Sequence, residues 1–437
     1  MRRRTVALAL ALGLLACQSS HDTTSPSTQP SSSTQPSSST VIPGSETAWA
    51  EDMAVFAAGI RRVHPNPFWR QSEAEFDESV AAAPARLAAM STPDGAVEVM
   101  RLAAGIDGHT GLYPAEAGFH LVALHLYLFD DGVHVVNAPD ESLVGARVTA
   151  IGATPIDAAI DRVRPYAAHD NDATINVVVP MLLMTPEVLH ATGIVDGTTP
   201  EYHVETVDGR ALDVAPDVLD WPTFRSRYGG DPVGLPKRPA PPFLARRDEA
   251  FSWTALDDSA GGAALYLQYN RVVARSGGIT LPMLVAELTA ALDRGGADRL
   301  IIDLRHNPGG DNRTYPPLLR WLIADARINR PGGLFVLIGR QTFSAAMNFA
   351  TEVDTGTAAV FVGEPTGGRP NLYGDVRPVY LPNSRITVRV SSRYWEFGGP
   401  DDTRPWIAPD VAVAITSADL LAGLDPVLDA AIHAPGP

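Results

Sequence analysis

The sequence predicts an α/β protein, and three observations carry that prediction. Two apolar runs, Leu300-Ile301-Ile302 and Leu334-Phe335-Val336-Leu337-Ile338, have strand length and β-branched content, and each stops at turn residues. Elsewhere apolar residues recur at helical steps, as in Trp49, Met53, Phe56, Ile60 and Val63, and again across residues 281–292. The 437 residues are 45% hydrophobic, enough for two or three domains with buried cores.

The chain opens on Met1-Arg2-Arg3-Arg4, a charged start, followed by an apolar stretch over 5–15 that is too short to span a membrane as a stable helix. It ends in Leu14-Leu15-Ala16-Cys17, which resembles a bacterial lipobox. Cys17 is the sole cysteine, so no intramolecular disulfide and no cysteine-rich metal site can form. Residues 1–17 are therefore expected to be a lipoprotein signal peptide ending at a lipidated Cys17. The competing reading is an ordinary secretory signal in which Cys17 is incidental. By the same resemblance, Gln18 rather than aspartate after the cysteine points to an outer membrane where a cell has two. The expected location is the bacterial cell envelope. Residues 18–46 are mostly Ser, Thr, Pro and Gln, which bury little apolar area, and read as a disordered tether.

Residues 47–113 read as a helical segment, broken after its first helix by His64-Pro65-Asn66-Pro67. Strand signals dominate 114–229. Residues 124–129 and 133–136 flank the turn Asp130-Asp131-Gly132, and 202–210 read as a further hairpin. Residues 230–250 are a proline-rich linker holding Pro232, Pro236, Pro239, Pro241 and Pro242. The last domain, 251–437, is expected to hold a strand over 264–269. It should also carry a hairpin over 376–390 turning at Pro382-Asn383-Ser384.

Two segments in that last domain bear on chemistry: Asp303-Leu304-Arg305-His306-Asn307-Pro308-Gly309-Gly310 and Thr342-Phe343-Ser344-Ala345-Ala346. Ser344 falls where a buried strand ends and a helix begins, beside the unpaired N–H groups of a helix N-terminus. That geometry suits a nucleophile with an oxyanion hole at its side. A plain helix N-cap is the competing reading. The amide of Ala345 and that of Gly309 or Gly310 are the expected oxyanion donors, since glycine lets the backbone approach a substrate closely.

Taken together, these segments resemble the tail-specific (C-terminal-processing) serine protease family. The closer match is its branch containing the tricorn core and the interphotoreceptor retinoid-binding protein repeats. Gly363-Glu364-Pro365-Thr366-Gly367-Gly368 and Pro409-Asp410 also match that pattern. The resemblance runs from about Trp49 to the C-terminus. It implies a crotonase/ClpP-like catalytic domain of repeated ββα turns, with the helical segment N-terminal to it and a PDZ-like β module over 114–229. Such a module either captures extended peptides by strand addition or only braces the site.

A serine hydroxyl needs a base within hydrogen-bond reach. The tail-specific branch takes a lysine some two dozen residues after its serine, and here the chain departs from it. Its sole lysine, Lys237, precedes Ser344 and sits in the proline-rich stretch, while Arg369 follows the Gly-Glu-Pro-Thr-Gly-Gly segment. Arginine stays protonated and cannot act as a base. Among eleven histidines, the leading candidate is His109, in Ile106-Asp107-Gly108-His109-Thr110, at the junction of the helical and β parts. The tricorn-like branch draws its base from that region. A purely structural junction histidine is the alternative. His64 comes next, and His306 lies beside the glycine pair. The resemblance further implies an acid shortly before Pro409-Asp410; the order of choice is Asp402, Asp401, Glu396.

The formal net charge of −16 argues against nucleic acid as a partner, because phosphates favour basic surfaces. No His-x-x-x-His pairing and no phosphate-binding Gly-x-x-x-x-Gly-Lys loop occurs, so no metal and no cofactor is expected. The expected activity is hydrolysis of a peptide or protein substrate by an envelope-anchored serine peptidase. The alternative is a non-catalytic binding protein for peptide or apolar ligand on the same fold.

Overall fold

The computed structural model describes residues 44–228, 246–256 and 263–434. Cys17, nearly all of the 18–46 tether, and most of the 230–250 segment with Lys237 lie outside those residues. No helix among the described residues is long and apolar enough to cross a membrane.

Three helices open the described chain: Glu46–Val63, Glu73–Ala88 and Thr92–Ala104. Each starts at a serine whose hydroxyl accepts a free backbone N–H of the first turn, Ser45 from Ala48, Ser72 from Glu75 and Ser91 from Asp94. Glu75 bonds back to the Ser72 N–H, completing a reciprocal cap. The first helix stops at His64, which adopts the extended conformation that a following proline favours.

An antiparallel sheet follows, ordered His125–Phe129, Gly132–Asn137, Arg147–Ile151, Tyr202–Glu205, Ala211–Val214. The expected strand-dominated region also holds four α-helices, Ile156–Val163, Asp172–Leu183, Pro186–Ala191 and Trp221–Tyr228. The run Val177-Val178-Val179 looks like strand from composition. It is nevertheless inside a buried helix, capped by Asn171 accepting the Thr174 N–H. A continuously apolar run does not distinguish the two, and tertiary burial overrides β-propensity.

The C-terminal half is built on a six-stranded sheet. Its order is Val411–Ala412, Val360–Gly363, Leu334–Ile338, Ala297–Asp303, Ala263–Tyr269, Phe251–Leu256. All neighbours are parallel except the last pair. Both faces are covered, which is why these strands are apolar throughout. Leu265, Leu267, Leu300, Ile302, Leu334 and Val336 point to the helices Leu281–Asp293, Pro316–Ala324 and Ala345–Gly356. Their alternates Tyr266, Ile301, Phe335 and Leu337 meet the helix Pro426–His433.

A long hairpin, Asn371–Tyr380 with Thr387–Glu396, ties the two halves together. Val379, Leu381, Ile386, Val388 and Val390 belong to the core of the N-terminal helices. Gly59 admits the contact, since a Cβ there would fall 2.5 Å from a Val379 methyl. Buried Asp52 accepts the backbone N–H groups of Asn383 and Ser384 at 2.9 and 2.7 Å, pinning the hairpin tip to the first helix.

Candidate active site

The loop after the strand Ala297–Asp303 is fixed by charge and by one asparagine. Buried Arg305 spans Asp303 and Asp425 with paired bonds, including 2.6 Å to Asp303 and 2.7 Å to Asp425. Tyr266 also donates to Asp303 at 2.6 Å. Asn307, fully buried, donates to the Tyr269 carbonyl at 2.8 Å and accepts the Gly309 N–H at 3.0 Å. Its own carbonyl accepts the Phe343 N–H at 3.2 Å. Arg305 and Asn307 thus hold the glycine pair against the loop that carries Ser344.

The glycines are required by close approach. A Cβ on Gly309, at φ 111°, would lie 2.7 Å from Ser344 Cβ and 2.8 Å from the Ala345 nitrogen. On Gly310, at φ 147°, it would lie 2.0 Å from the Val272 carbonyl oxygen.

Ser344 itself has φ 53° and ψ −126°, at the N-terminus of the helix Ala345–Gly356. A non-glycine residue there is strained. Its hydroxyl makes no capping bond, so the plain N-cap reading does not describe it. It is only half-buried, whereas Ala345 is buried. The Ala345 N–H, first of the helix, has no partner among the described residues. The Gly309 N–H, one of the expected donors, is committed to Asn307 instead.

His109 is 2% exposed. Its ring stacks on Phe343, the residue before Ser344, with centroids 4.3 Å apart and 20° between planes. Neither ring nitrogen has a hydrogen-bond partner. Burial pushes the imidazole down to about 4, opposed by the charge of Asp107. The ring is therefore neutral at ordinary pH, the form a base needs.

Asp107 organises the segment around His109. It accepts the backbone N–H groups of His109 and Thr110 at 2.6 and 2.7 Å, and the hydroxyls of Thr110 and Ser391 at 2.8 and 2.9 Å. His64 Nε2 donates to it at 2.7 Å. The proton sits on Nε2 because Nδ1 accepts the Asn66 N–H at 3.0 Å. Burial would push the Asp107 carboxyl up, but the hydrogen bond from His64, with that from the Thr110 backbone, holds it below the usual range. His64 is thus placed as the partner of Asp107 and away from a direct role at Ser344.

The three nominated acids are placed elsewhere. Asp402 holds Arg404 at 2.7 Å and accepts its backbone N–H at 3.0 Å; the Arg404 bond depresses its carboxyl. Arg404 also pairs with Asp354. Asp401 and Glu396 are exposed. None of the three bonds to His109. His306 has its Nδ1 3.1 Å from the side-chain oxygen of Gln341.

The segment from Gly363 to Gly368 packs the site from below. Gly368 donates to the Thr342 carbonyl at 3.2 Å, and Thr366 accepts the Ile407 N–H at 2.9 Å. Asn171 bridges the Thr366 and Pro405 carbonyls at 3.1 and 2.7 Å, tying this turn to the N-terminal half. Asp410 accepts the Phe361 N–H at 2.8 Å.

Sequence reasoning missed Asp107 as an organiser, although it stands in the segment quoted for His109. It also missed Asp170, buried beside it. Asp170 accepts the Gly108 N–H at 2.9 Å, its other oxygen has no partner, and burial with the Asp107 charge pushes its carboxyl up to about 7. No local signal announces a residue that distant in sequence. Away from this site, Glu201, His203 and Asp213 bring ligand atoms within 4.8 Å of one another. They include a cross-strand pair, His203 to Asp213 at 2.6 Å, and nothing else there points to an ion.

No protein-family model matches the chain, and no curated protein matches it. Solved structures do. A crystal structure of a serine-to-alanine mutant of CPAF gives a TM-score of 0.64 at 13% identity, covering 90% of this chain and 99% of that one. Mature CPAF gives 0.60 at 14%, covering 86% and 94%. A photosystem II D1 C-terminal processing protease matches more loosely, with TM-score 0.41 at 15%, covering 85% and 95%. The mixed α/β fold is thus similar to CPAF over nearly the whole length of both chains.

Proposed function

We propose that this chain is a serine peptidase with Ser344 as nucleophile and His109 as general base. One observation carries the reading: the base candidate's ring lies against Phe343, while the next residue, Ser344, is held in a strained backbone conformation at a helix N-terminus. The Ser344 oxygen attacks the scissile carbonyl carbon and a His109 ring nitrogen takes its proton. That proton passes to the leaving amine as the peptide C–N bond breaks. Water, deprotonated by the same ring, then releases the acyl group. The Ala345 N–H faces the developing oxyanion, and one such donor is worth about 3 kcal/mol.

Ser344 and His109 are not hydrogen bonded in the resting geometry. Catalytic contacts of this kind commonly tighten only with substrate bound. In this reading Asp107 is a positioning residue. It grips the backbone of residues 109 and 110, and its charge favours the imidazolium that forms. Asp402, the acid first expected in that role, instead holds the turn through Arg404.

We read the mainly parallel sheet of the C-terminal half as a crotonase-like catalytic domain and the antiparallel sheet of the N-terminal half as a PDZ-like module. We also assign the chain to the cell envelope through a lipid on Cys17. Cys17→Ala should move the protein from the membrane to the soluble fraction.

The test of the chemistry is labelling of the folded protein by a fluorophosphonate. Labelling should vanish in Ser344→Ala and weaken strongly in His109→Ala. A folded wild type that takes no label would count against the assignment.

A further inference from the structure

The helix that starts after Ser344 is apolar along most of its buried length, and Asn348 interrupts it. Asn348 is 1% exposed. Its Nδ2 donates to Oδ1 of Asn312 at 3.1 Å, while its own Oδ1 has no hydrogen-bond partner. Thr351, the next buried polar residue on that helix, satisfies its hydroxyl on the Met347 carbonyl at 2.8 Å. Asn348 has no such outlet. A buried acceptor left unmet destabilises a fold, so a site that keeps one calls for a donor from outside.

Asn348 lies one helical turn from Ser344, and its backbone N–H donates to the Ser344 carbonyl at 3.0 Å. Residues four apart share a helix face, with Cβ atoms about 5–6 Å from one another. Helical side chains also lean towards the N-terminus, which directs the Asn348 carboxamide to the Ser344 end. Asn312 reaches the same place from the loop that carries the glycine pair. In that loop Gly309 approaches so closely that a Cβ on it would lie 2.7 Å from Ser344 Cβ. The Asp311 N–H holds the loop to the Val272 carbonyl at 2.8 Å, and a turn closes from the Thr314 N–H to the Asp311 carbonyl at 3.0 Å. The Asp311 carboxylate is taken by Arg313, at 2.8 and 2.9 Å. Asn312 is half-buried, and among the described residues its Nδ2 has no acceptor. Two carboxamides joined by one N–H···O bond therefore keep an open acceptor on Asn348 and an open donor on Asn312.

We propose that Asn312 and Asn348 form a subsite beside Ser344 that takes one amide group of the substrate, its C=O on Asn312 Nδ2 and its N–H on Asn348 Oδ1. The inference rests on the peptidase reading and names the chemistry its substrate presents there. An amide brings one donor and one acceptor, the complement of what the asparagine pair leaves open. A carboxylate brings no donor, and a thioether is only a weak acceptor. Being neutral, an amide also enters the field of a chain of net charge −16 without repulsion. The amide is either the side chain of a glutamine or asparagine or a main-chain peptide group, and the probes separate these sources.

Three fluorescein-labelled pentapeptides, alanine-rich and blocked at both ends, are the probes; their central residue is glutamine, glutamate or methionine. Fluorescence polarisation reads their binding to the full-length Ser344→Ala protein, and to the same protein with Asn312→Ala or Asn348→Leu added. Each added substitution should weaken binding about 10-fold. A loss confined to the glutamine peptide assigns the side-chain amide, and an equal loss across all three assigns the main chain. Asn348→Leu also removes the unmet acceptor, so its urea midpoint should be no lower than that of the parent protein. Binding that ignores both substitutions, no binding of any probe, or a fold weakened by Asn348→Leu with Asn312→Ala silent would overturn the subsite. Fluorophosphonate labelling of the wild type separates the two ideas. A labelled enzyme whose peptide binding ignores the asparagines loses the subsite and keeps the hydrolase, whereas an unlabelled protein with asparagine-dependent binding does the reverse.

Discussion

His109 and Phe343 are stacked, 4.3 Å between ring centroids, although their positions in the chain belong to different halves of the molecule. The residue that carries the ring's partner is the immediate neighbour of Ser344. The placement of the base candidate therefore depends on an apolar contact, since both of its nitrogens are unbonded. Replacing Phe343 with alanine frees the ring to shift by an ångström or so. Misplacement on that scale costs about 100-fold in rate. Phe343→Ala should lower kcat/KM by about that factor with the fold intact. Unchanged kinetics in a folded variant would mean that the stack does not position the base.

The acidity of His109 sets an unusual pH profile. Burial lowers its imidazole from 6.5 to about 4. The active, neutral ring then persists well below pH 6. The acid limb of kcat/KM is expected near pH 4, displaced from the ordinary histidine value. Stability moves oppositely in the same window. Between pH 6.5 and about 4 the unfolded chain gains a proton that the folded chain refuses, so acidification destabilises the protein there. A limb centred at 6.5, unaffected by His109→Ala, would exclude this ring as the base.

Much of this was legible in the sequence where the signal is local. The strands ending at Asp303 and Ile338, the break at His64, and the hairpin turning at Pro382-Asn383-Ser384 all follow from periodicity and turn residues. The helix Asp172–Leu183 did not, because its apolar run has no polar face to mark a period. Among the candidate residues, Ser344 and Gly309 announce themselves by pattern, whereas Asp107 does not. The sequence pointed to the turn at Asp402, yet that side chain is satisfied by Arg404, two residues on. Asp107 shapes the His109 segment through backbone bonds and through His64, a relationship that only the folded chain creates.

Strain at Ser344 is measurable. Its φ of 53° and ψ of −126° are conformations that glycine adopts freely and other residues do not. Ser344→Ala retains the strain and Ser344→Gly relieves it. Both abolish labelling. The glycine variant should be the more stable of the two by about 1–2 kcal/mol in chemical denaturation. Equal stability, or a less stable glycine variant, would show that the surrounding loop does not force this geometry.

Asp170 supplies a test of the electrostatics around the site that needs no catalysis. Its carboxyl is raised by burial first and by Asp107 second, to about 7, against the help of Gly108, Arg70 and Arg369. In the unfolded chain the same group releases its proton near 3.8. Between these values the folded protein holds a proton that the unfolded one has lost, so raising the pH erodes stability. At about 1.4 kcal/mol per unit, the loss above pH 7 reaches ~4 kcal/mol. Asp170→Asn keeps an oxygen for the Gly108 N–H, 2.9 Å away in the wild type, and carries no charge. The variant should be more stable than wild type at pH 8, with the gap closing towards zero by pH 4. Urea denaturation at both pH values reads this directly. A gap of constant size would mean that Asp170 does not hold its proton in the folded chain.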